Sequence, residues 1–132
     1  MKKNVVIAAS SKLQKDINKW IKYFENNNYM VLDYPKLIDK DNFLRLYPNV
    51  YREFFKSIVK ADIFFLMNED KNQIEGYVGA ESFAELCFAV SQKLLYKADK
   101  IIYIMKMPSD KVQCYEEIKL WLSLKWIETF EK

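Results

Sequence analysis

Histidine is absent from the 132-residue chain. Without an imidazole, Ser-His and Cys-His nucleophile pairs and histidine-ligated metal sites are excluded. Cysteine is rare as well, because Cys87 and Cys114 stand alone, without the spacing of a zinc site or a disulfide framework. Acid–base chemistry must therefore fall to carboxylates, lysine or tyrosine. We expect reduced thiols, a cytoplasmic location, and neither a metal nor another cofactor.

Long apolar runs are also missing. The most apolar run, residues 63–67, is far shorter than the roughly 18 residues that a membrane span needs. The N-terminal apolar stretch ends at Ala9, too early for a signal peptide. The formal charge of +3 is spread along the chain. We therefore expect no membrane span, no secretion and no nucleic-acid polymer as partner.

What the chain does have is apolar content, with 51% hydrophobic and 16% aromatic residues. Such a composition excludes intrinsic disorder and predicts one densely packed domain over residues 1–132. Short apolar runs alternate four times with segments of helical periodicity. The predicted strands are residues 4–9, 29–34, 63–67 and 100–106. Four helices are predicted between and after them. The first begins after Ser10 or Ser11, the second ends near Lys60, the third covers residues 80–96, and the fourth covers about 112–127.

This alternation predicts a three-layer, flavodoxin-like (Rossmann-like) α/β fold. We expect a parallel sheet of about four strands in the order 2-1-3-4, with helices on both faces. Ligands bind such sheets at the carboxyl ends of the strands, where the strand order reverses. The loops that start at Ser10 and Asn68 should therefore face each other across one pocket.

The only two glycines, Gly76 and Gly79, flank Tyr77-Val78 directly before the third helix. A chain so poor in glycine is expected to use them where the backbone needs φ > 0 or where a ligand approaches closely. On a helical wheel Phe83, Leu86, Cys87, Val90 and Leu94 form the core face of the following helix. Glu81 and Glu85 then point away from the core, and the helix dipole should keep both carboxylates ionised.

Three segments together resemble the nucleoside 2-deoxyribosyltransferase family. They are Asp62 to Asn68, the loop with the two glycines, and Glu85-Leu86-Cys87-Phe88-Ala89. In that family an Asp opens the third strand, and the helix after a glycine-containing loop has a Glu-Leu-Gly-x-Ala motif whose Glu is the nucleophile. Glu85 matches that Glu, and Leu86 and Ala89 match the Leu and Ala of the motif, whereas Cys87 replaces the glycine.

The resemblance implies double displacement at the anomeric carbon of a nucleoside or nucleoside 5′-monophosphate. Glu85 would be the nucleophile, with Glu81 as the alternative, and Glu53 or Asp70 would protonate or orient the base. Tyr77 would stack on the base. The remaining substrate contacts would come from Ser10, Ser11, Asn68, Gly76 and Gly79.

Two rival functions use the same fold. One is a nucleotide-binding or signalling module without turnover, which the altered first loop (Ala8-Ala9-Ser10-Ser11) and Cys87 favour. The other is a glycohydrolase of a dinucleotide such as NAD, which would need a larger pocket. The aromatic content and the broad apolar arc of the last helix, with Leu120 and Leu124, predict a homodimer.

Overall fold

The structure, a computed structural model, describes residues 2–132. Five strands alternate with four helices, and a short 3-10 turn (Lys40–Asn42) precedes the second helix. The strands are β1 (Asn4–Ala8), β2 (Met30–Asp33), β3 (Ile63–Leu66), β4 (Ile101–Ile104) and β5 (Glu128–Thr129). The helices are α1 (Gln14–Asn26), α2 (Phe43–Lys60), α3 (Ala80–Leu95) and α4 (Tyr115–Ser123).

The strands form one parallel sheet in the order β2-β1-β3-β4-β5. Helix α1 covers one face of the sheet, and α2, α3 and α4 cover the other. The predicted three-layer fold and the order of the first four strands are thus confirmed. Among residues 2–132, no helix is long and apolar enough to cross a bilayer.

The end of α4 corrects the prediction of a helix that continues to residue 127. The helix stops because Lys125 adopts a left-handed backbone conformation with φ of 61°. The amides of Lys125 and Trp126 then donate to the carbonyls of Leu122 and Trp121, as in a Schellman motif. The chain turns back and adds the edge strand β5, which the sequence does not reveal because no glycine marks the turn.

Helix α1 ends in the same way, and here the sequence contains the signal. Asn28, with φ of 68°, takes the left-handed position that asparagine tolerates well. The amide of Tyr29 donates to the carbonyl of Phe24 at 2.9 Å, and their rings meet edge to face at 5.5 Å. The predicted break at residues 26–28 is therefore confirmed.

Helix α2 continues without interruption through Pro48. Proline removes one helical hydrogen bond, the one that would reach the carbonyl of Leu44. Leu44 is 87% exposed, so its carbonyl can bond water instead. Stacked aromatic side chains along α2 also support the helix. The ring centroids of Phe43 and Tyr47 are 5.1 Å apart, and those of Tyr51 and Phe55 are 4.6 Å apart.

A buried lysine holds the C-terminal end of α2. Lys100 is 2% exposed, and its Nζ donates to the carbonyls of Ile58 at 2.7 Å and Ala61 at 2.5 Å. Burial, and then the positive charge of Lys97, lower the pKa of Lys100 to about 8. Cations favour helix C-termini, but here the amine also satisfies carbonyls that are closed to water.

We expect Lys100→Met to lower the free energy of unfolding by about 1–3 kcal/mol at pH 9.5, because the buried carbonyls lose this donor. The loss should be smaller at pH 7. Between pH 8 and about 10.5 the Lys100 side chain is protonated in the unfolded chain and neutral in the folded one, so its own contribution to stability grows as the pH rises. Urea unfolding at both pH values measures this effect. Lys60→Met is the control, since Lys60 is an exposed lysine in the last turn of the same helix. Equal losses in both variants would contradict the expectation.

Candidate functional site

A cleft of about 410 Å³ opens at the carboxyl ends of β1, β2 and β3. Its base includes Ala9, Leu66 and Met67, which are buried residues at or just after the ends of β1 and β3. The start of α3 forms one wall, and the aromatic rings of α2 form another. The wall residues are Gly79, Ala80, Glu81, Ser82 and Glu85 from the start of α3, and Phe43, Tyr47, Tyr51 and Phe54 from α2.

Glu85 is the most unusual group in the cleft. It lies in the second turn of α3 and is only 6% exposed. Burial, then the negative charges of Glu81 and Asp33, raise the pKa of Glu85 from 4.5 to about 8. A pKa near 8 favours the protonated carboxylic acid of Glu85 at pH 7. The prediction that it faces away from the core as an ionised carboxylate is wrong.

The prediction was wrong because the core face of α3 is not its most hydrophobic face. The buried positions have the spacing i, i+3, i+4, i+7 and i+8, and they are Ser82, Glu85, Leu86, Ala89 and Val90. Ser82 and Ala89 are small, so the helix can approach the sheet closely along this face. Phe83 and Phe88 lie on either side of this face. The ring centroid of Phe83 is 5.7 Å from that of Trp121 in α4, and the ring centroid of Phe88 is 5.0 Å from that of Phe55 in α2.

Glu81 lies one turn before Glu85 and also lines the cleft, but it is exposed. Across from it, Tyr47 of α2 has its pKa raised by burial and then by the charge of Glu81. Asp33, at the end of β2, lines the cleft as well and pairs with Lys36 at 2.7 Å. The sequence analysis missed Tyr47 and Asp33, although Asp33 lies one residue before the end of the predicted strand 29–34, close to where ligand-binding groups are common.

Four residues predicted to bind substrate do lie in the cleft, namely Ser10, Ser11, Tyr77 and Gly79. Ser10 and Ser11 follow β1, and the Oγ of Ser10 accepts a hydrogen bond from the Nζ of Lys71 at 2.8 Å. The same ammonium group lies 5.3 Å from the centre of the Tyr77 ring. The loops after β1 and β3 thus meet across the cleft at Ser10 and Lys71.

Three further residues predicted to bind substrate, Asn68, Asp70 and Gly76, lie outside the cleft and hold the β3–α3 loop in place. The side-chain Nδ2 of Asn68 donates to the backbone carbonyls of Gly76 at 3.2 Å and Lys106 at 2.7 Å. Asp70 accepts from the Gly76 amide at 2.9 Å and from the Lys106 Nζ at 2.8 Å, and the hydrogen bond from Lys106 is the main reason that its pKa is lowered. These polar groups bond to one another and to Lys106 after β4, so their role here is to hold the β3–α3 loop in position.

Glu53, the predicted assistant of the leaving base, lies outside the cleft as well. It is on the exposed face of α2, where its carboxylate pairs with Lys56 at 3.2 Å. Helical spacing places Phe54 toward the core and Glu53 toward solvent, and the sequence alone could not show which way α2 is rotated. Within residues 2–132, His, Cys, Asp and Glu side chains form no group of three that could hold a metal ion.

Comparisons of the chain with known protein families, curated proteins and solved structures found no match. The lining of the cleft includes the buried carboxyl of Glu85, the carboxyl groups of Asp33 and Glu81, four tyrosines, three serines and three lysines. Such a set can transfer a proton, form an ester through a carboxylate, and bind a ligand with both a flat ring and polar groups.

The two glycines have different roles. Gly76 has φ of +60°, and a Cβ placed on it would lie 2.8 Å from the Cα of Pro108. Gly79 is the N-cap of α3 with φ of −79°, and a Cβ there would meet nothing closer than the Tyr77 ring at 3.5 Å. The expected left-handed backbone is thus present at Gly76 only, and only Gly79 borders the cleft.

We expect Gly76→Ala to lower the free energy of unfolding by about 1–3 kcal/mol, since it combines an unfavourable backbone conformation with a clash against the Pro108 backbone. Gly79→Ala is the matched control and should cost less than about 1 kcal/mol, the usual loss at an N-cap. Thermal or urea unfolding of both variants measures the difference. A Gly79 variant as unstable as the Gly76 variant would contradict this assignment.

Proposed function

We propose that the protein transfers or hydrolyses the N-glycosidic bond of a nucleoside or nucleoside 5′-monophosphate through a covalent glycosyl ester on Glu85. The observation that supports this most is the buried carboxyl of Glu85 at the wall of an open cleft. Among residues 2–132, Glu85 forms no ion pair with Lys or Arg. Burial of an unpaired carboxyl group costs folding free energy. Perturbed groups of this kind cluster at functional sites. The resemblance of residues 85–89 to the deoxyribosyltransferase motif points to the same residue.

The proposed reaction has two displacements. A carboxylate oxygen of Glu85 bonds to C1′ while the bond from C1′ to the base nitrogen breaks, and the electron pair leaves with the base. Glu85 must lose its proton before attack and the departing base must gain one, so the first step needs no net proton. Water or a second base then attacks C1′, releases Glu85 and restores the original configuration.

The other cleft residues have defined tasks in this proposal. Glu81 is exposed beside Glu85, and its negative charge can stabilise the oxocarbenium-like transition state. Tyr77, Tyr47 and Phe43 offer ring faces for stacking on a base. The cleft volume of about 410 Å³ is near the low end of the range for small-molecule sites, which favours a single nucleoside unit over a dinucleotide.

We expect the release of free base to require Glu85. The substrates are a panel of ribo- and deoxynucleosides, their 5′-monophosphates and NAD, and chromatography measures the free base. Glu85→Gln should lower kcat/KM by about 10³-fold or more, as the loss of a nucleophile does. Glu53→Gln, an exposed change outside the cleft, is the matched control and should be neutral. Mass spectrometry should detect a glycosyl adduct on wild-type protein. Binding without base release would instead support the non-catalytic module, and release that is unaffected in Glu85→Gln would contradict the mechanism.

The pH dependence gives a second test of the role of Glu85. A nucleophile must be deprotonated, so kcat/KM should rise with pH and level off above about pH 8, the pKa of Glu85 in the free protein. Glu81→Gln removes a neighbouring negative charge and should shift this rise to lower pH. A rate that falls as the pH passes through 8 would instead assign Glu85 as a general acid and contradict the nucleophile proposal.

A further inference from the structure

We infer that Lys71, together with Ser10, binds a phosphate group of the ligand, so that the cleft selects nucleoside phosphates over nucleosides. The nucleoside part of this inference rests on the proposed function, whereas the phosphate part rests on the geometry of the loops after β1 and β3. That geometry brings a lysine, two serine hydroxyls and the start of a helix to one end of the cleft.

The backbone fixes Lys71 at the edge of the cleft. Residues 71–74 form a tight turn in which Lys71 and Ile74 exchange both backbone hydrogen bonds, at 3.1 and 3.0 Å. The two central residues, Asn72 and Gln73, have φ of 52° and 63°, as a type I′ turn requires. Ile74 packs against the core, and the Asp70–Lys106 ion pair ties down the residue before the turn. Lys71 therefore starts from a fixed position despite its flexible side chain.

The charge of Lys71 is available to a ligand. Within residues 2–132 its ammonium group pairs with no carboxylate; its contacts are the Ser10 hydroxyl and the Tyr77 ring. The second lysine at the cleft, Lys36, is already neutralised by Asp33 at 2.7 Å. Lys12 also lines the cleft and adds positive charge beside Ser10 and Ser11.

The donors that remain fit an oxyanion. The ammonium group has three hydrogens and uses one on Ser10, while Ser10 accepts that bond through its oxygen and keeps its own hydrogen to donate. Helix α1 follows directly and has no side-chain cap, so the positive end of its dipole lies on this side of the cleft. Gln14 fixes the connecting loop by donating to the carbonyls of Ser11 at 2.7 Å and Pro35 at 3.0 Å.

The opposing charges define the orientation of a ligand. The carboxyl groups of Asp33, Glu81 and Glu85 also line the cleft. Glu85 is mostly protonated and Asp33 is paired, so Glu81 at the start of α3 is the main free negative charge. A phosphate should therefore bind at the Lys71–Ser10 end, and the sugar carbon should lie toward Glu85.

Binding by isothermal titration calorimetry tests this inference in the Glu85→Gln protein, which should not turn the ligands over. The probes are nucleosides, their 5′-monophosphates, NAD and inorganic phosphate. We expect monophosphates to bind at least about tenfold more tightly than the matching nucleosides, as a charge-assisted contact allows. Lys71→Met should reduce that preference to less than about threefold. Lys22→Met, which removes the same charge from the exposed face of α1, should leave it unchanged, and Lys71→Arg should retain part of it.

Each outcome decides the inference. A phosphate preference that depends on Lys71 and weakens with added salt supports it, whether the tighter ligand is a monophosphate or the diphosphate of NAD. Equal binding of nucleosides and monophosphates, no binding of any phosphorylated probe, or equal effects of Lys71→Met and Lys22→Met would overturn it. The result is separate from the proposed function, because base release with no phosphate preference would refute only this inference, and a phosphate preference without base release would refute only the chemistry.

Discussion

The close packing of α3 on the sheet is the constraint on which the rest of the site depends. Ser82 and Ala89 are small enough to bring the helix onto β1, β3 and β4, and this approach buries Glu85 at the cleft wall. Raising the pKa of a carboxyl from 4.5 to about 8 corresponds to roughly 5 kcal/mol. A helix N-terminus contributes only about 0.3–1 kcal/mol toward ionisation, so desolvation decides the protonation state.

The two sides of the cleft are built in different ways. On the carboxylate side, a long helix fixes Glu81 and Glu85 through its packing. On the lysine side, short loops are held by hydrogen bonds among Asn68, Asp70, Gly76 and Lys106. These polar groups seemed from the sequence to face a ligand, but their hydrogen bonds lie within the protein. They contribute by presenting Lys71 and Tyr77 to the cleft.

The strand order, the three layers and the position of the cleft could be predicted from the sequence because each follows from alternating apolar periodicity and the handedness of crossovers. The rotation of α3 could not, since Ser82 and Ala89 are core residues that hydrophobicity does not mark. Strand β5 was hidden because Lys125 occupies a position where glycine is usual. Tyr47 and Asp33 were missed because they reach the cleft from α2 and β2, elements whose orientation only tertiary packing fixes.

The protonation state of Glu85 is the central claim, and titration of its side-chain carboxyl carbon by ¹³C nuclear magnetic resonance tests it most directly. Comparison of spectra from wild-type protein and the Glu85→Gln variant assigns the signal. The structure predicts a midpoint near pH 8, because burial raises the pKa of Glu85. A midpoint at or below about pH 5, the ordinary range for a solvated glutamate, would contradict the account.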